Sequence, residues 1–163
     1  MQYYAHKTED KMLKEILDLI LSLFKKEREE MFTKEDVLIL AKTIYGEARG
    51  EISQGKVAVG CVIMNRYYSK KWFAGSTLAG TCLKKMQFSC WNENDPNRKI
   101  LENITKDKLG DCYTIAKNLT DGTQQDITQG ATHYHTLDCN PAWAKDKECL
   151  CVIGHHKFYK NID

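Results

Sequence analysis

The pattern that most restricts this chain is helical. Apolar residues recur at three- and four-residue spacing over its first third, and such stripes have to be buried on one face. Over residues 9 to 31 the stripe is Met12, Leu13, Ile16, Leu17, Ile20, Leu21 and Phe24, and a charged run, 25 to 30, follows it. This predicts a first helix that packs on the rest of the domain or on a partner helix. Thr33 then offers an N-cap, and Asp36 three residues on resembles a capping box with Asp in place of Glu or Gln. Val37, Leu38, Leu40, Ala41, Ile44 and Tyr45 give a second helix its buried face, and Gly46 is expected to end or loosen it. A third helix is expected over about 53–68, with Val57, Cys61, Ile63 and Met64 inside.

The remainder is less regular. Residues 69 to 96 hold Trp72, Phe73, Phe88 and Trp91 without a clear period. Pro96 suits the first turn of a helix to Ile104, and another helix is expected over 108–119. After Asp121, two glycines and Thr132-His133-Tyr134-His135-Thr136 read as turns plus a short extended piece, and 152–159 as a last short strand. The fold class is therefore α+β and mainly helical, with an N-terminal helical extension (1–32) and one domain (33–163).

Composition removes several functions. With 24 basic and 22 acidic residues the net charge is +2, and no basic run is interleaved with aromatics, so nucleic acid is not an expected partner. The apolar stretch Ile16 to Phe24 is nine residues, broken by Asp18 and Ser22, too short for stable membrane insertion. The start lacks the basic, apolar and small-residue order of a secretory signal, so the chain is expected to be made in the cytosol or to have lost a leader. Seven cysteines leave three options open: lone buried thiols, disulfides, or metal ligands. Cys61, within an apolar run, reads as core. No C-x-x-C, H-x₃-H or H-E-x-x-H spacing is present, so neither a metal nor another cofactor is expected.

The stretch carrying chemistry is Ile44-Tyr45-Gly46-Glu47-Ala48-Arg49-Gly50-Glu51. Glycines there let a bulky ligand come close to the backbone. A carboxylate at a helix C-terminus sits near the negative end of the dipole, which favours the protonated form that a general acid needs. The bland alternative is a turn with two solvated glutamates and Arg49 as an ion-pair partner.

The surrounding motifs bear on that choice. Tyr45-Gly46-Glu47-Ala48-Arg49-Gly50-Glu51, then Gln54-Gly55-x-Val57-Ala58-Val59 and Val62-Ile63-x-Asn65-Arg66, closely resemble the SleB/CwlJ-type cell-wall hydrolase family. Gln87-Phe88-Ser89-Cys90-Trp91 looks like that family's second motif. Ala131-Thr132-His133-Tyr134, Pro141-x-Trp143-Ala144 and Ile153-Gly154-His155-His156-x-Phe158-Tyr159 look like its closing segment. The resemblance spans roughly residues 36 to 160. It implies a lysozyme-like domain with a small β element beside a long cleft. It also implies cleavage of the β-1,4 link between N-acetylmuramic acid and N-acetylglucosamine, in many members by a lytic transglycosylase reaction, with Glu47 as acid and base.

The implied partners are peptidoglycan glycan strands. The implied substrate-binding residues are Glu51, Asn65, Gln87, Ser89, Trp91, His133, Tyr134 and Trp143. Asn65 and His133 are candidates to orient Glu47 or bind acetamido groups, whereas Trp91, Tyr134 and Trp143 are candidates to stack on sugar faces or to pack. Phe88, His155 and His156 read as structural. A water-using muramidase, an inactive peptidoglycan-binding module and a cysteine-based metal or redox domain are the alternatives. The chain departs from the usual pattern in its extra cysteines, its charged 96–130 region and the lack of a peptidoglycan-binding repeat. A monomeric lysin of phage or prophage origin, released to the wall through a pore, is the expected setting.

Overall fold

A computed structural model describes residues 2–162, and their side chains except those of 2–9, 25, 29 and 30. Six helices come first: α1 (Gln2–Met31), α2 (Lys34–Ala48), α3 (Ser53–Ser69), α4 (Leu78–Cys82), α5 (Pro96–Asn103) and α6 (Asp111–Asp121). Three short strands follow: β1 (His133–Thr136), β2 (Cys151–Ile153) and β3 (His156–Tyr159). They form one antiparallel sheet in the order β1-β3-β2, with Tyr134 opposite Phe158 and Cys151 opposite Phe158 on the other side.

Helix α2 is the centre. It packs against α3, α4, α5 and α6, and Leu40, Ala41 and Ile44 on it are fully buried. The α2 start is the capping box read from the sequence. Asp36 N–H donates to Thr33 Oγ1 (3.1 Å), while Asp36 Oδ2 accepts from Thr33 N–H (3.0 Å) and from its hydroxyl (2.8 Å). The substituted Asp has a second task. Its Oδ1 accepts the Ala79 N–H (2.8 Å), which ties the first turn of α4 to α2. The shorter side chain leaves the carboxylate buried between two helix starts, where it satisfies otherwise orphaned donors of both.

Two expectations are corrected and a third loses one of its two alternatives. Gly46 does not end α2, which runs on to Ala48. The final segment is a hairpin of two strands rather than one, because Gly154 takes φ +58° between them. The α1 stripe does not pack on the domain: Met12, Leu13, Ile16, Leu17, Ile20, Leu21 and Phe24 are 42–62% exposed. Helix α1 meets the domain along α6, and α1 is 30 residues long against 11 for α6. At 1.5 Å per residue, α6 is too short to cover the stripe. No described helix is long and apolar enough to cross a membrane.

All seven cysteines are unbridged. Cys61, Cys82, Cys90 and Cys112 are buried, and burial first of all pushes the thiols of Cys61 and Cys82 up to about 12 and that of Cys112 to about 11. They therefore pack as protonated, small apolar groups.

Replacing Asp36 with Ala removes the cap and leaves the Ala79 N–H without its acceptor. A loss of about 2–3 kcal/mol in unfolding free energy is expected by chemical denaturation. A loss under about 0.5 kcal/mol, in the range of neutral surface changes, would show that the box is incidental.

Candidate active site

Glu47 is the second-last residue of α2, and its carboxylate is half-buried where the helices meet the sheet. Two segments distant in sequence hold it. The Cys90 N–H donates to Oε1 (3.0 Å), with the Ser89 hydroxyl at 3.4 Å from the same oxygen. The Tyr134 hydroxyl, from β1, donates to Oε2 (2.8 Å). Burial and the Glu47 charge drive the Tyr134 phenol well above its ordinary value, so it stays a donor. Residues 89–91 form a single 3₁₀ turn, and Gly46 explains its closeness. A Cβ at 46 would sit 2.7 Å from Cys90 Cβ and 2.9 Å from a Leu101 methyl. Gly46 is required for close approach, not for chain reversal.

Behind this shell lies Arg66, buried on α3. Its guanidinium donates to the Thr132 carbonyl (2.6 Å), the Gln87 carbonyl (3.3 Å) and Gln87 Oε1 (3.4 Å). It also lies over the rings of Phe88 (4.9 Å) and Phe73 (5.7 Å). Burial lowers its pKa, and the neighbouring Tyr134 and Glu47 act in the opposite sense. One cation thus links the segments before the 89–91 turn and before β1, both of which hold Glu47.

Aromatic residues adjoin both segments that hold Glu47. On the sheet side, the His133 ring meets Phe73 (5.4 Å) and Trp143 (5.5 Å). Trp143 in turn meets His135 and Tyr159. Burial, then Arg66 and Lys71, hold His133 down at about 4, so its ring is neutral at neutral pH. On the other side Trp91 donates its indole N–H to Thr43 Oγ1 (2.9 Å), one turn before Glu47 on α2.

Two of the remaining candidates act as braces. Asn65 Nδ2 lies within hydrogen-bond distance of Asp126 Oδ2 (3.2 Å), Thr128 Oγ1 (3.3 Å) and the Ala131 carbonyl (3.0 Å), which fastens the loop before β1 to α3. Glu51 accepts from the His155 N–H (3.1 Å) and contacts His155 Nδ1 (3.2 Å), with His156 Nδ1 at 3.8 Å. A Cβ on Gly154 would fall 2.1 Å from Glu51 Oε2. Glu51 therefore clamps the β2–β3 turn and makes no hydrogen bond to Glu47 or its donors.

A family profile described as Hydrolase_2, Cell Wall Hydrolase, matches residues 50–159, more than half of the chain. This chain belongs to the cell wall hydrolase family. The family match begins just after Glu47. Spore cortex-lytic enzymes of Oceanobacillus iheyensis and Halalkalibacterium halodurans are 32% and 28% identical over 134 and 129 residues. The matched regions are 79% and 78% of this chain but 43% and 35% of those proteins, so this chain spans under half their length. The fold is similar to the crystal structure of the catalytic domain of Bacillus cereus SleB (TM-score 0.63, 25% identity, 79% of this chain and 92% of that one). It is equally similar to the catalytic domain of the germination-specific lytic transglycosylase SleB of Bacillus anthracis (TM-score 0.62, 25% identity, 79% and 97%).

In this member of the cell wall hydrolase family, the structure gathers Glu47, Ser89 and Tyr134 directly, and Gln87 through Arg66. His133 and Trp143 pack together on the other face of β1 from Tyr134, and Trp91 is tied to α2 through Thr43. Sequence reasoning gave no site role to Arg66 and Cys90, although both lie within the quoted motifs, or to Thr43. Arg66 had a signal, since it is a cation on a helix that is otherwise apolar inward. Cys90 had none, because it acts through its backbone N–H.

Two outcomes are expected here. Gly46→Ala forces the 89–91 turn away from Glu47. It should lower stability by about 1–3 kcal/mol and cell-wall-lytic activity more than tenfold, read by unfolding and by turbidity loss of wall suspensions. The second concerns pH. An unfolded His takes its proton near 6.5, and folded His133 only near about 4. Its contribution to stability is full above 6.5 and is lost as pH falls towards 4. A His133→Gln variant should show a smaller fall in Tm between pH 7 and pH 4.5 than the parent; an equal fall would assign the loss to other groups.

Proposed function

We propose that this chain cuts the MurNAc–GlcNAc β-1,4 link of peptidoglycan as a lytic transglycosylase, with Glu47 as acid and then base. What supports this most is the way Glu47 is presented. It is one half-buried carboxylate, oriented by donors from two segments distant in sequence, each with aromatic residues next to it in the chain. Among the described residues its hydrogen-bond shell contains no second carboxyl group, and the nearby Glu51 is engaged by the β2–β3 turn.

A two-carboxylate glycosidase needs both groups facing the scissile bond. A single group suffices when the substrate supplies the nucleophile. Protonated Glu47 gives its proton to the leaving glycosidic oxygen as the bond to the anomeric carbon breaks. The acetamido group of the same sugar stabilises the cation that forms. Glu47, now a carboxylate, takes the proton of the C6 hydroxyl as that oxygen closes a 1,6-anhydro ring. The Tyr134 and Cys90 donors hold the carboxylate in place through both transfers. Serving as acid and then base restores its starting state without water.

We take the catalytic unit to be residues 33–163, working as a monomer, with 1–32 as an extension. The names of the relatives favour degradation of wall of the spore-cortex kind over phage lysis.

The test is digestion of purified peptidoglycan by the parent and by Glu47→Gln, with products read by mass spectrometry. Anhydro-muropeptides from the parent, falling about 10³-fold in the variant, are expected. Reducing ends instead would replace this mechanism with a water-using muramidase. A fully active variant would remove Glu47 from the chemistry.

A further inference from the structure

Helix α1 turns outward a face that nothing among the described residues covers. Nine large apolar side chains between Met12 and Phe24 are 42–62% exposed. At about 100° per residue they fall within an arc of about 200°, and the opposite side carries Lys11, Lys14, Glu15, Asp18 and Ser22. At roughly 100 Å² of open surface each, the nine exceed the largest apolar patch of an ordinary monomer, about 300–600 Å². They also reach the area that a stable interface takes from each partner, about 800 Å². At its far end the face runs into a groove of about 460 Å³ that Leu21 and Phe24 share with Asp121, Gly122 and Thr123 at the close of α6. The open face therefore begins where contact with the domain stops.

Two features indicate what fits there. The first is symmetry. The apolar pattern reads the same in both directions about Asp18: Met12 mirrors Phe24, Ile16 mirrors Ile20 and Leu17 mirrors Leu19, with leucine at both 13 and 23. Between 12 and 24 only Leu21, mirrored by Glu15, breaks it. A two-fold contact uses such a pattern, because the same patch serves both copies and each position meets its mirror on the other. A different partner imposes no such order. The second feature is charge. Helices that lie on membranes carry Lys and Arg on the polar face. Here Lys11 pairs with Glu15 (3.9 Å), and Lys14 is offset by Asp18 on the same side. The polar face has no net charge to draw it to anionic headgroups.

We propose that α1 is a docking surface for a second copy of this chain, the two α1 helices lying antiparallel across a two-fold axis level with Asp18, so that Ile16 of each meets Ile20 of the other. These two isoleucines lie nearest the middle of the face, opposite Asp18, and are the least exposed of the nine, at 47% and 42%. The donors to Glu47 come from Ser89, Cys90 and Tyr134, none of them on α1, so each catalytic unit keeps a complete site of its own. The pair sets the two units at opposite ends, with their α2 starts roughly 50 Å apart along the helices.

Sedimentation velocity on the full chain, run over a roughly hundredfold range of concentration, tests this. A species of twice the 18.8 kDa chain mass is expected to grow with concentration. Two double variants then read the arrangement. Ile16→Glu with Ile20→Glu sets like charges at the middle of the face and should weaken association at least about a hundredfold. Ile16→Glu with Ile20→Lys sets opposite charges against each other in the antiparallel pair and like charges in a parallel one. It should recover at least about tenfold of that loss. Both positions are open in the single chain, so far-UV circular dichroism of the dilute variants should match the parent. A parent that stays monomeric, with or without pelleting on phosphatidylglycerol vesicles, would overturn the proposal. So would a dimer that the two glutamates leave intact, or an Ile16→Glu, Ile20→Lys variant that associates no better than the double glutamate one.

Discussion

The carboxylate of Glu47 is where three distant stretches of chain converge. Its donors lie 42, 43 and 87 residues away in sequence. A helix end, a one-turn 3₁₀ segment and an edge strand meet there over a shared apolar core that includes Ile44, Phe88 and Cys90, with Tyr134 packed against it. A charged acceptor whose lone pairs point in different directions then aligns their donors. The site is therefore as well ordered as the packing behind each donor, and a disturbance of any one segment is felt at the same two oxygens.

Arg66 supplies the complementary half. A guanidinium inside a small domain is costly to desolvate and has to be fully engaged. Here two backbone carbonyls, an amide oxygen and two aromatic faces do this. Those groups sit just before the 3₁₀ turn and just before β1. The same cation that balances the nearby negative charge also fixes the roots of both segments that grip Glu47. Charge balance and positioning are thus done by one side chain.

How much of this could be read from the sequence depended on range. Helix starts were legible because capping is local: Thr33, Asp36 and Pro96 declare themselves within four residues. Glu47 could be singled out as a candidate because it is one residue in an ordered series of motifs, and the mixed helical and β architecture was legible with it. The role of Gly46 was not, because the atoms that require a missing Cβ belong to Cys90 and Leu101, far along the chain. The apolar period of α1 correctly indicated a helix, but a stripe says only that a face is apolar. The length of the neighbour available to cover it is a tertiary fact. Glu51 and Asn65 carried plausible polar chemistry whichever way they pointed, and only the fold shows them turned to the β2–β3 hairpin and the 126–131 loop.

The contact between Glu51 and Gly154 bears on how such a chain can change over evolutionary time. A single methyl at 154 would overlap a carboxylate oxygen and would occupy a backbone conformation unfavourable to any side chain. Shortening position 51 first would relieve the overlap but would release the hairpin turn that the carboxylate holds. Each step is harmful before the other is made, so drift at these two sites is blocked in both orders. The pair is expected to persist together across descendants, whether or not either residue ever touches a sugar.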